Sequence, residues 1–383
     1  MWSNTACQKC SRRSFLPDLP GDLIWVEHVM TGTNNGNAYV APSILIILMG
    51  SLGDVARGLC LVSQIKEGLP KSTVTWLVEP KCKALVEIHP KIDKVVVFDR
   101  PKGTFAIPKL YRHLARERFD ITLDLQRHFK SGMFSFLSGA RRRIGFHRRD
   151  AKELNWVFNN EHIPYFSDDL PKWRHYLKFT EYLGLETPKR LNFGLSGLNL
   201  VPYLPEAVSH MTGPFVVVVM GSAWQSKDWL YERYLTLVTD LVTSGKIQVV
   251  LVGEESQRIK STRLCEQLHG RRPINLVGET SMMELVAVIR VANAAVGPDS
   301  GPGHLAAAVG TPYISLFGPT SARRTAPYGN EHLVVEAGAA CSPCYKRVCP
   351  ESERTCMQRI EADTVKKKLS EAILGQGEQG FFN

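Results

Sequence analysis

The sequence predicts an α/β protein in which two Rossmann-like, doubly wound domains lie in series and face a central cleft. Short apolar runs typical of buried strands alternate with amphipathic helical segments, which indicates a mainly parallel sheet covered by helices on both faces. This alternation pauses near residue 147 and restarts near residue 215. Each half opens with a strand that ends in Met-Gly-Ser, at residues 49–51 and 220–222. A chain of 383 residues is long enough for two domains of ordinary size.

The first domain is assigned to residues 41–205. Its predicted strands cover residues 44–50, 74–78, 94–98 and 121–125, and its predicted helices cover residues 51–69, 82–88 and 109–117. A polar, basic and aromatic stretch follows, and its end, residues 192–205, is predicted to link the two domains. Residues 1–40 mix Pro, Gly, Asn and charged side chains without periodicity, so we expect a disordered N-terminal extension there.

The second domain is assigned to residues 206–360. Its predicted strands cover residues 215–220, 248–252, 274–277, 291–297 and 313–317, and its predicted helices cover residues 229–243, 256–268 and 282–291, with a short Ala-rich helix after residue 303. The C-terminal segment, residues 361–383, contains an amphipathic basic helix at residues 362–374. We expect this last helix to pack back on the first domain.

The charge of the chain is strongly basic. Its formal net charge is +10 and its pI is about 9.1, which suits an acidic partner such as a phosphate-bearing sugar, an anionic membrane surface or nucleic acid. A basic soluble enzyme without such a partner fits the same charge. No stretch reaches the roughly 18 to 20 apolar residues of a membrane span. The N-terminus lacks the apolar core of a signal peptide, so we expect a cytoplasmic protein, at most peripheral on a membrane.

A loop rich in Gly and Pro, residues 298–303, joins a predicted strand to a predicted helix. Free N–H groups and the helix dipole collect at such a junction, so it suits a phosphate group. Ser300 supplies a hydroxyl and His304 an imidazole, and Gly301 lets a ligand approach the backbone. Asp299 repels phosphate, so we expect it to orient His304 or to accept backbone N–H groups or a sugar hydroxyl. An ordinary turn capped by Asp299 is the alternative.

Two further turns should face this loop, because doubly wound domains bind ligands at the carboxyl ends of their strands. Asp54 lies at the start of the first predicted helix, where a carboxylate can act as a general base or simply cap the helix. In the turn at residues 221–228, Ser222 offers a hydroxyl and Lys227 offers a cation for a diphosphate leaving group. An ordinary surface lysine is equally compatible with that position.

Two classes of nucleotide-dependent enzyme fit the sequence poorly. The chain has no D-x-D pair, which transferases that bind a sugar nucleotide through a divalent metal usually need. Residues 301–306 fit the dinucleotide pattern G-x-G-x-x-A, but they lie late in their domain and no acid follows about 20 residues on. A dehydrogenase is therefore disfavoured.

Four cysteines lie close together near the C-terminus, with the spacing C-x2-C-x4-C-x6-C: Cys341, Cys344, Cys349 and Cys356. Four thiols in so short a span can bind a structural zinc ion or an iron–sulfur cluster. Disulfides and plain reduced thiols are the alternatives, and a reducing cytosol disfavours disulfides. The C-x-x-C of Cys7 and Cys10 is a weak motif, because no βαβ pattern follows it.

Several separate motifs, in one order over residues 44–369, resemble glycosyltransferase family 9, the ADP-heptose:lipopolysaccharide heptosyltransferases, and most closely its heptosyltransferase II group. They are SLGD at 51–54, DLQRHFKS at 124–131, RRRIGFHRRDAKE at 141–153, GSAWQSKDW at 221–229, GPDSGPGHLAAAVGTP at 297–312, LFGPTSARRTAPYG at 316–329 and CSPCYKRVCP at 341–350. The resemblance implies a GT-B fold, an acceptor-binding first domain, a nucleotide-sugar-binding second domain and inverting transfer that requires no metal cofactor.

The resemblance also implies roles for individual residues. Asp54 matches the catalytic base, and Lys227 is assigned to catalysis as well as to the donor. The implied donor contacts are Ser222, Ala223, Lys227, Glu254, Glu255, Thr280, Asp299, Ser300, Gly301 and His304. Within the basic motifs of the first domain, the acceptor contacts are assigned to Lys130, Ser131, Arg142 and Arg143.

The implied partners are an ADP-sugar donor, a phosphorylated lipid A–Kdo core acceptor and the surface of the inner membrane, with no nucleic acid. The basic run at residues 141–149 would contact the membrane-bound acceptor, although a solvated basic face explains it equally well. Three alternatives stay open: a GT-B transferase for another nucleotide sugar, a nucleotide-sugar epimerase, and a non-catalytic protein that binds nucleotide and metal.

Overall fold

Two six-stranded parallel sheets form the framework of the computed structural model, which describes residues 41–99, 106–351 and 353–375. The predicted N-terminal extension and its cysteines, Cys7 and Cys10, lie outside the described residues. The first sheet contains β1 (Ser43–Ile47), β2 (Thr73–Val78), β3 (Lys94–Val97), β4 (Ile121–Asp124), β5 (Arg142–Gly145) and β6 (Glu161–His162). Its helices are α1 (Leu52–Gly68), α2 (Lys83–Glu87), α3 (Ala106–Glu117), α4 (Phe129–Leu137) and α5 (Lys172–Tyr182).

The second sheet follows a short helix, α6 (Glu206–Ser209). Its strands are β7 (Phe215–Val219), β8 (Gln248–Val252), β9 (Ile274–Asn275), β10 (Ala294–Pro298), β11 (Tyr313–Phe317) and β12 (Val334–Glu336). Its helices are α7 (Tyr231–Ser244), α8 (Arg258–Gln267), α9 (Met282–Val291), α10 (Gly301–Val309), α11 (Ala322–Thr325), α12 (Thr355–Gln358) and α13 (Ala362–Leu374).

Both sheets have the same strand order. It is β3-β2-β1-β4-β5-β6 in the first and β9-β8-β7-β10-β11-β12 in the second, which is the order of a Rossmann fold used twice. The central strands β1 and β7 are buried on both faces, which explains their unbroken apolar sequences SILII and FVVVV. The predicted pair of doubly wound α/β lobes is confirmed.

The strand order also fixes where a ligand can bind. In the first sheet the chain adds β2 and β3 on one side of β1 and then crosses over to add β4 on the other side. The second sheet makes the same change of side between β7 and β10. The loops that leave the carboxyl ends of these strands border an open crevice in this fold. They begin at Leu48, Leu125, Met220 and Asp299.

Helices α1 and α10 bring the two lobes together at their N-termini. A Cβ atom added at Gly53 would lie 2.8 Å from the His304 ring, and one added at Gly301 would lie 2.8 Å from Leu52 Cδ2. Such separations are too short for real Cβ atoms. The absence of a side chain at Gly53 and Gly301 therefore allows this close approach.

Two expectations need correction, and some elements were not predicted. Helix α13 packs on the second sheet and not on the first domain, because Val365, Leu369 and Ile373 join the core formed by β7, β8 and β10. The basic run at residues 141–149 is not an open surface throughout, because it contains β5 and the buried Ile144. Helix α4 and strands β5, β6 and β12 were not predicted.

No helix among the described residues has the length and apolar character needed to span a membrane.

Candidate active site

A cavity of about 540 Å³ lies between the lobes at the carboxyl ends of both sheets. It is lined by all three turns that were expected to meet, represented by Asp54, Lys227 and His304. Its size suits a nucleotide sugar, because small-molecule sites usually occupy about 300–1,000 Å³. We name it the interlobe cavity.

Asp54 has two roles in the first turn of α1. It forms a capping box with Ser51, whose hydroxyl donates to Oδ2 at 3.0 Å. Its other oxygen, Oδ1, accepts hydrogen bonds from Arg57 Nη2 at 2.7 Å and from the Tyr176 hydroxyl at 2.9 Å. The helix-capping alternative and the presence of Asp54 at the cavity are therefore both correct, and about a quarter of its side chain is exposed.

The surroundings of Asp54 keep it ionised. Burial by itself would raise its pKa, but the charges of Arg57 and Lys172 and the hydrogen bonds from Arg57 and Tyr176 outweigh burial and hold the pKa well below its ordinary value. Asp54 is consequently a carboxylate at neutral pH. It can accept a hydrogen bond, and then a proton, from a hydroxyl group that enters from the cavity.

His304 contacts Arg57 across the lobe boundary, through its Nε2 atom. Burial lowers the pKa of His304 well below its ordinary value, and the charge of Arg57 lowers it further, so the ring is neutral. Its Nε2 then accepts from the guanidinium and its Nδ1 carries the proton. That Nδ1 is buried without a partner among the described residues. Arg57 therefore orients His304, which was one of the three roles considered for Asp299.

Asp299 instead anchors Lys227 beneath the interlobe cavity. The Lys227 ammonium donates to Asp299 Oδ2 at 2.8 Å and to its carbonyl oxygen at 3.2 Å. Thr320 and Thr325 donate to the same Oδ2, at 2.8 and 3.3 Å. Lys227 also lies 4.5 Å from the centre of the Trp224 ring. This network fixes the cation at the carboxyl ends of β7 and β10.

The N-terminus of α10 opens into the same cavity. Ser300 is its N-cap residue, but its hydroxyl donates to the Pro298 carbonyl at 3.0 Å and does not cap the helix. Gly301 and His304 lie in the first turn and line the cavity. A helix N-terminus without a side-chain cap retains unpaired N–H groups, which attract anions.

The remaining predicted donor residues also line the interlobe cavity: Ser222, Ala223, Glu254, Glu255 and Thr280. Ser222 holds its own loop together, because its N–H donates to Asp228 Oδ1 at 2.7 Å and its hydroxyl donates to the Trp224 carbonyl at 2.9 Å. The two glutamates have partners at the cavity mouth. Glu254 pairs with Lys81 of the first lobe at 2.6 Å, and Glu255 pairs with Arg258.

A second cavity, of about 150 Å³, adjoins the first at Asp54 and extends into the first lobe. It lies beyond the carboxyl ends of β1, β4 and β5, and we name it the N-lobe cavity. Its charged lining residues are Asp54, Arg127, Lys152, Asp168, Lys172 and Arg324. Three of them, Asp54, Lys172 and Arg324, line the interlobe cavity as well. Asp54 therefore stands where the contents of the two cavities would meet.

Sequence reasoning missed Lys172 and Tyr176, which α5 brings to this junction. The Lys172 ammonium makes no hydrogen bond or ion pair with any described residue. Burial lowers its pKa to about 8; Asp54 opposes this shift, and Arg57, Arg324 and Arg127 add to it. The segment around these residues has no motif. Only the helical spacing of the buried Tyr176, Phe179 and Thr180 could have indicated a helix there.

The four residues assigned to the acceptor do not line either cavity. Ser131 is buried, and its hydroxyl donates to the His128 carbonyl. Arg142 forms a bidentate pair with Glu161, at 2.7 Å for each bond. Arg143 donates to the Phe158 and Ala140 carbonyls. The Lys130 ammonium lies over the Phe98 ring. These contacts stabilise the first lobe, and the structure does not bring the four together as a binding site.

The segment that carries the C-terminal cysteines supports a loop of the interlobe cavity. Cys341, Cys344, Cys349 and Cys356 are free thiols, and burial, with the three neighbouring thiols, raises the pKa of Cys356. Their segment holds the turn at residues 221–228, because Arg354 donates to the Gln225 and Asp228 carbonyls. Across the part of the chain that the structure describes, no group of three or more His, Cys, Asp or Glu side chains is placed to bind a metal. The structure does not support the predicted zinc or iron–sulfur site.

Comparison with known families agrees with this geometry. The family model described as glycosyltransferase family 9 (heptosyltransferase) matches residues 107–354, which is more than half of the chain. The chain belongs to glycosyltransferase family 9. It is therefore a glycosyltransferase, and its two lobes are those of a GT-B enzyme.

Relatives and solved structures of this family cover most of the chain. Lipopolysaccharide core heptosyltransferase OpsX of Haemophilus influenzae is 28% identical over 76% of this chain and 84% of its own length. Lipopolysaccharide heptosyltransferase 1 of Pseudomonas aeruginosa is 25% identical over 80% of this chain and 87% of its own length. The fold matches the family 9 enzyme of Veillonella parvula with a TM-score of 0.77 at 20% identity, covering 89% of this chain and 100% of that one. It matches the Escherichia coli ADP-heptose heptosyltransferase II with a TM-score of 0.72 at 20% identity, over 88% and 100%.

Proposed function

We propose that this enzyme transfers a heptosyl group from ADP-heptose to the inner core of lipopolysaccharide, with inversion at the anomeric carbon and without a metal ion. The observation that carries the proposal is the position of Asp54, an ionised carboxylate at the junction of two cavities of different size and charge. The larger cavity would hold the nucleotide sugar and the smaller one the acceptor. The names of the relatives support a heptosyl group as the sugar transferred and lipopolysaccharide as the acceptor, and ADP-heptose is the donor named for the Escherichia coli structure of the same fold.

In the proposed reaction, an acceptor hydroxyl in the N-lobe cavity donates a hydrogen bond to Asp54 and attacks the anomeric carbon of the donor. The C–O bond to the diphosphate breaks as the new glycosidic bond forms, and Asp54 takes the proton. Attack from the face opposite the diphosphate inverts the anomeric centre. Because Arg57 and Tyr176 fix Asp54 Oδ1, we assign proton transfer to Oδ2, which the flexible hydroxyl of Ser51 can release.

The departing ADP carries the negative charge that develops in this step. Lys227 and the N-terminus of α10 would stabilise this charge, because fixed cations and helix N-termini act strongly where water is excluded. The hydroxyls of Thr320 and Thr325 donate hydrogen bonds to Asp299 and keep it in place as the support of Lys227. These groups supply the charge neutralisation that other transferases obtain from a divalent metal, so we propose metal-independent catalysis.

The acceptor is proposed to be the phosphorylated lipid A–Kdo core. The cations of the N-lobe cavity outnumber its carboxylates, and Asp168 is already shared by Arg127 at 3.4 Å and Arg324 at 2.8 Å. Lys172 therefore has no carboxylate of its own and is available to an anionic group of the acceptor. We propose Lys172, in place of the four residues assigned from the sequence, as the main cationic contact for the acceptor.

The variant Asp54→Asn tests the role of Asp54. The amide keeps the size of the side chain but cannot take a proton, so kcat should fall by about 10²-fold or more. ADP binding, measured by calorimetry, should be nearly unchanged because the diphosphate contacts remain. Asp240→Asn is the matched control, since Asp240 pairs with Lys366 on the surface of the second lobe.

The assay follows ADP release from ADP-heptose in the presence of EDTA. Wild-type activity in Asp54→Asn would exclude the proposed base. Loss of wild-type activity on adding EDTA would exclude metal independence. If wild-type protein releases no ADP from ADP-heptose, its thermal stabilisation by a panel of ADP- and UDP-sugars would identify a different donor.

A further inference from the structure

An apolar surface on the first lobe is formed by five exposed large side chains of α4 and of the loop that follows β5. They are Phe129, Phe136, Leu154, Trp156 and Val157, and we name them the apolar patch; their exposed fractions are 48%, 57%, 64%, 38% and 60%. Single exposed apolar residues are common, but a contiguous group of this size usually marks a binding surface. The proposed catalytic mechanism uses none of them.

The two elements that carry the apolar patch pack against each other. Phe129 and Phe136 are seven residues apart on α4, which places them on one face of the helix. The Phe129 ring packs edge-on against Phe158, 5.0 Å between centres, in the turn that carries Trp156 and Val157. The Arg143 side chain joins the two elements, because it lies over the Phe136 ring and donates to the Phe158 carbonyl.

The loop holds its apolar side chains outward by means of a buried anchor. Asn155, between Leu154 and Trp156, is buried and donates to Asp124 Oδ2 at 2.6 Å and to the His128 carbonyl at 2.8 Å. Leu154 itself has a φ of 59°, a conformation that non-glycine residues adopt rarely and at a cost. The backbone is therefore held in a shape that exposes Leu154 to solvent.

Basic side chains surround the apolar patch. Arg148, Arg149 and Lys152 are exposed within the loop that follows β5, and Arg141 is exposed just before β5. The acids near them have partners, since Glu153 accepts from the Phe129 N–H and contacts His128, while Glu161 is paired with Arg142. Exposed aromatic and aliphatic groups bordered by unpaired cations are typical of surfaces that bind an anionic bilayer.

We propose that the apolar patch and its basic border dock the first lobe onto an anionic lipid surface. This inference rests on the proposed function, in which the acceptor is anchored in a membrane, and it identifies the face that meets that membrane. His128 and Lys152 line the N-lobe cavity, and each is close in sequence to a member of the apolar patch. A sugar that projects from the docked membrane would therefore enter the N-lobe cavity directly.

Co-sedimentation of the full chain with vesicles tests the docking surface. The vesicles contain phosphatidylglycerol and phosphatidylethanolamine, or phosphatidylcholine alone. Wild-type protein should bind the anionic vesicles and should bind phosphatidylcholine much more weakly.

The double variant Trp156→Gln/Val157→Gln should lower the partition coefficient by about tenfold or more, because it removes most of the apolar contact of the loop. Arg148→Gln/Arg149→Gln should weaken binding most at low salt.

Ile259→Gln is the matched control, because Ile259 is 86% exposed on the second lobe and lies outside the apolar patch. This control should bind vesicles like the wild type. ADP release with an acceptor sugar freed from its lipid should be unchanged in every variant, which shows that the variants are folded. Wild-type vesicle binding by the Trp156/Val157 variant, or an equal loss in Ile259→Gln, would overturn the docking surface. Absence of transfer to any acceptor by the wild type would instead overturn the proposed function.

Discussion

Lys172 lies where the two cavities meet, and this position determines the pKa of its ammonium and the partners that it can bind. Its ammonium has no ion-pair partner among the described residues, and burial, followed by the charges of three arginines, lowers its pKa to about 8. A bound anion would replace the missing partner. The side chain is thus suited to recognise the acceptor, whereas Lys227 is already paired with Asp299.

The variant Lys172→Met should raise KM for the acceptor by about tenfold or more while KM for the donor changes little, because a charged hydrogen bond contributes on the order of 1.5–3 kcal/mol. Lys172→Arg should retain most of the affinity. In the wild type the ammonium is charged below about pH 8 and loses its charge above it, so KM for the acceptor should increase as the pH rises through that value.

The charged groups that face Lys172 are Asp54, Arg57, Arg127 and Arg324. None of the arginines loses its charge near pH 8, and Asp54 is ionised throughout. The alkaline increase in KM should therefore disappear in Lys172→Met and move to higher pH in Lys172→Arg. A profile that is identical in all three proteins would show that Lys172 does not bind the acceptor.

At the scale of elements, the contact between the N-termini of α1 and α10 forms the base of the interlobe cavity. Gly53→Ala tests it. Alanine favours a helix by about 1 kcal/mol over glycine, so any loss must come from the new Cβ atom, which would lie 2.8 Å from the His304 ring. Either His304 moves or the lobes separate, and kcat/KM should fall by about tenfold or more, since overpacking typically costs 1–3 kcal/mol.

Gly197→Ala provides the control for Gly53→Ala, because a Cβ atom at Gly197 meets nothing within 4 Å. This variant should retain wild-type kcat/KM and thermal stability. Equal activity of Gly53→Ala and the wild type would mean that the close approach of the two helices has no role in transfer.

Elements with strong local patterns were predictable, and those that depend on distant partners were not. The continuous apolar runs of β1 and β7 indicated central strands, and the Gly-rich turn before α10 indicated its helix N-terminus. Strand β5 was missed because three arginines begin its segment, and the pair of Arg142 with Glu161 on the neighbouring strand β6 could not be seen from the sequence. Helix α13 was placed correctly in sequence, but its partner sheet could not be read from its own amphipathic pattern.

The residues of the candidate site also divide into those that a local sequence pattern predicts and those that depend on distant partners. Asp54, Lys227 and His304 follow strands or open helices, so their convergence was predictable from the rule for parallel sheets. The pairings within the site were not, because Arg57–His304 and Lys227–Asp299 each join residues more than 70 positions apart. Lys172 and Tyr176 enter from α5, whose segment carries neither a turn nor a glycine motif.

At the scale of the whole molecule, three histidines of the part of the chain that the structure describes are buried in neutral form, and their protonation opposes folding. Burial lowers the pKa of His89 and of His175 to about 4, and the pKa of His304 falls well below its ordinary value. In the unfolded chain, a histidine takes a proton near pH 6.5. Between about pH 4 and 6.5 the unfolded state therefore binds more protons than the folded state, so the free energy of unfolding must fall as the pH falls.

His89 allows this linkage to be measured away from the active site. Its Nδ1 accepts the Lys91 N–H at 3.2 Å, and its Nε2 is buried without a partner among the described residues. His89→Asn keeps an acceptor near the Nδ1 position but cannot be protonated. In urea unfolding, its loss of stability between pH 7.5 and 5 should be about 2 kcal/mol smaller than that of the wild type. His210→Asn, which replaces an exposed histidine, should follow the wild-type slope. Parallel declines in all three proteins would show that His89 is protonated equally in the folded and unfolded chains, and that the acid sensitivity of the fold has another origin.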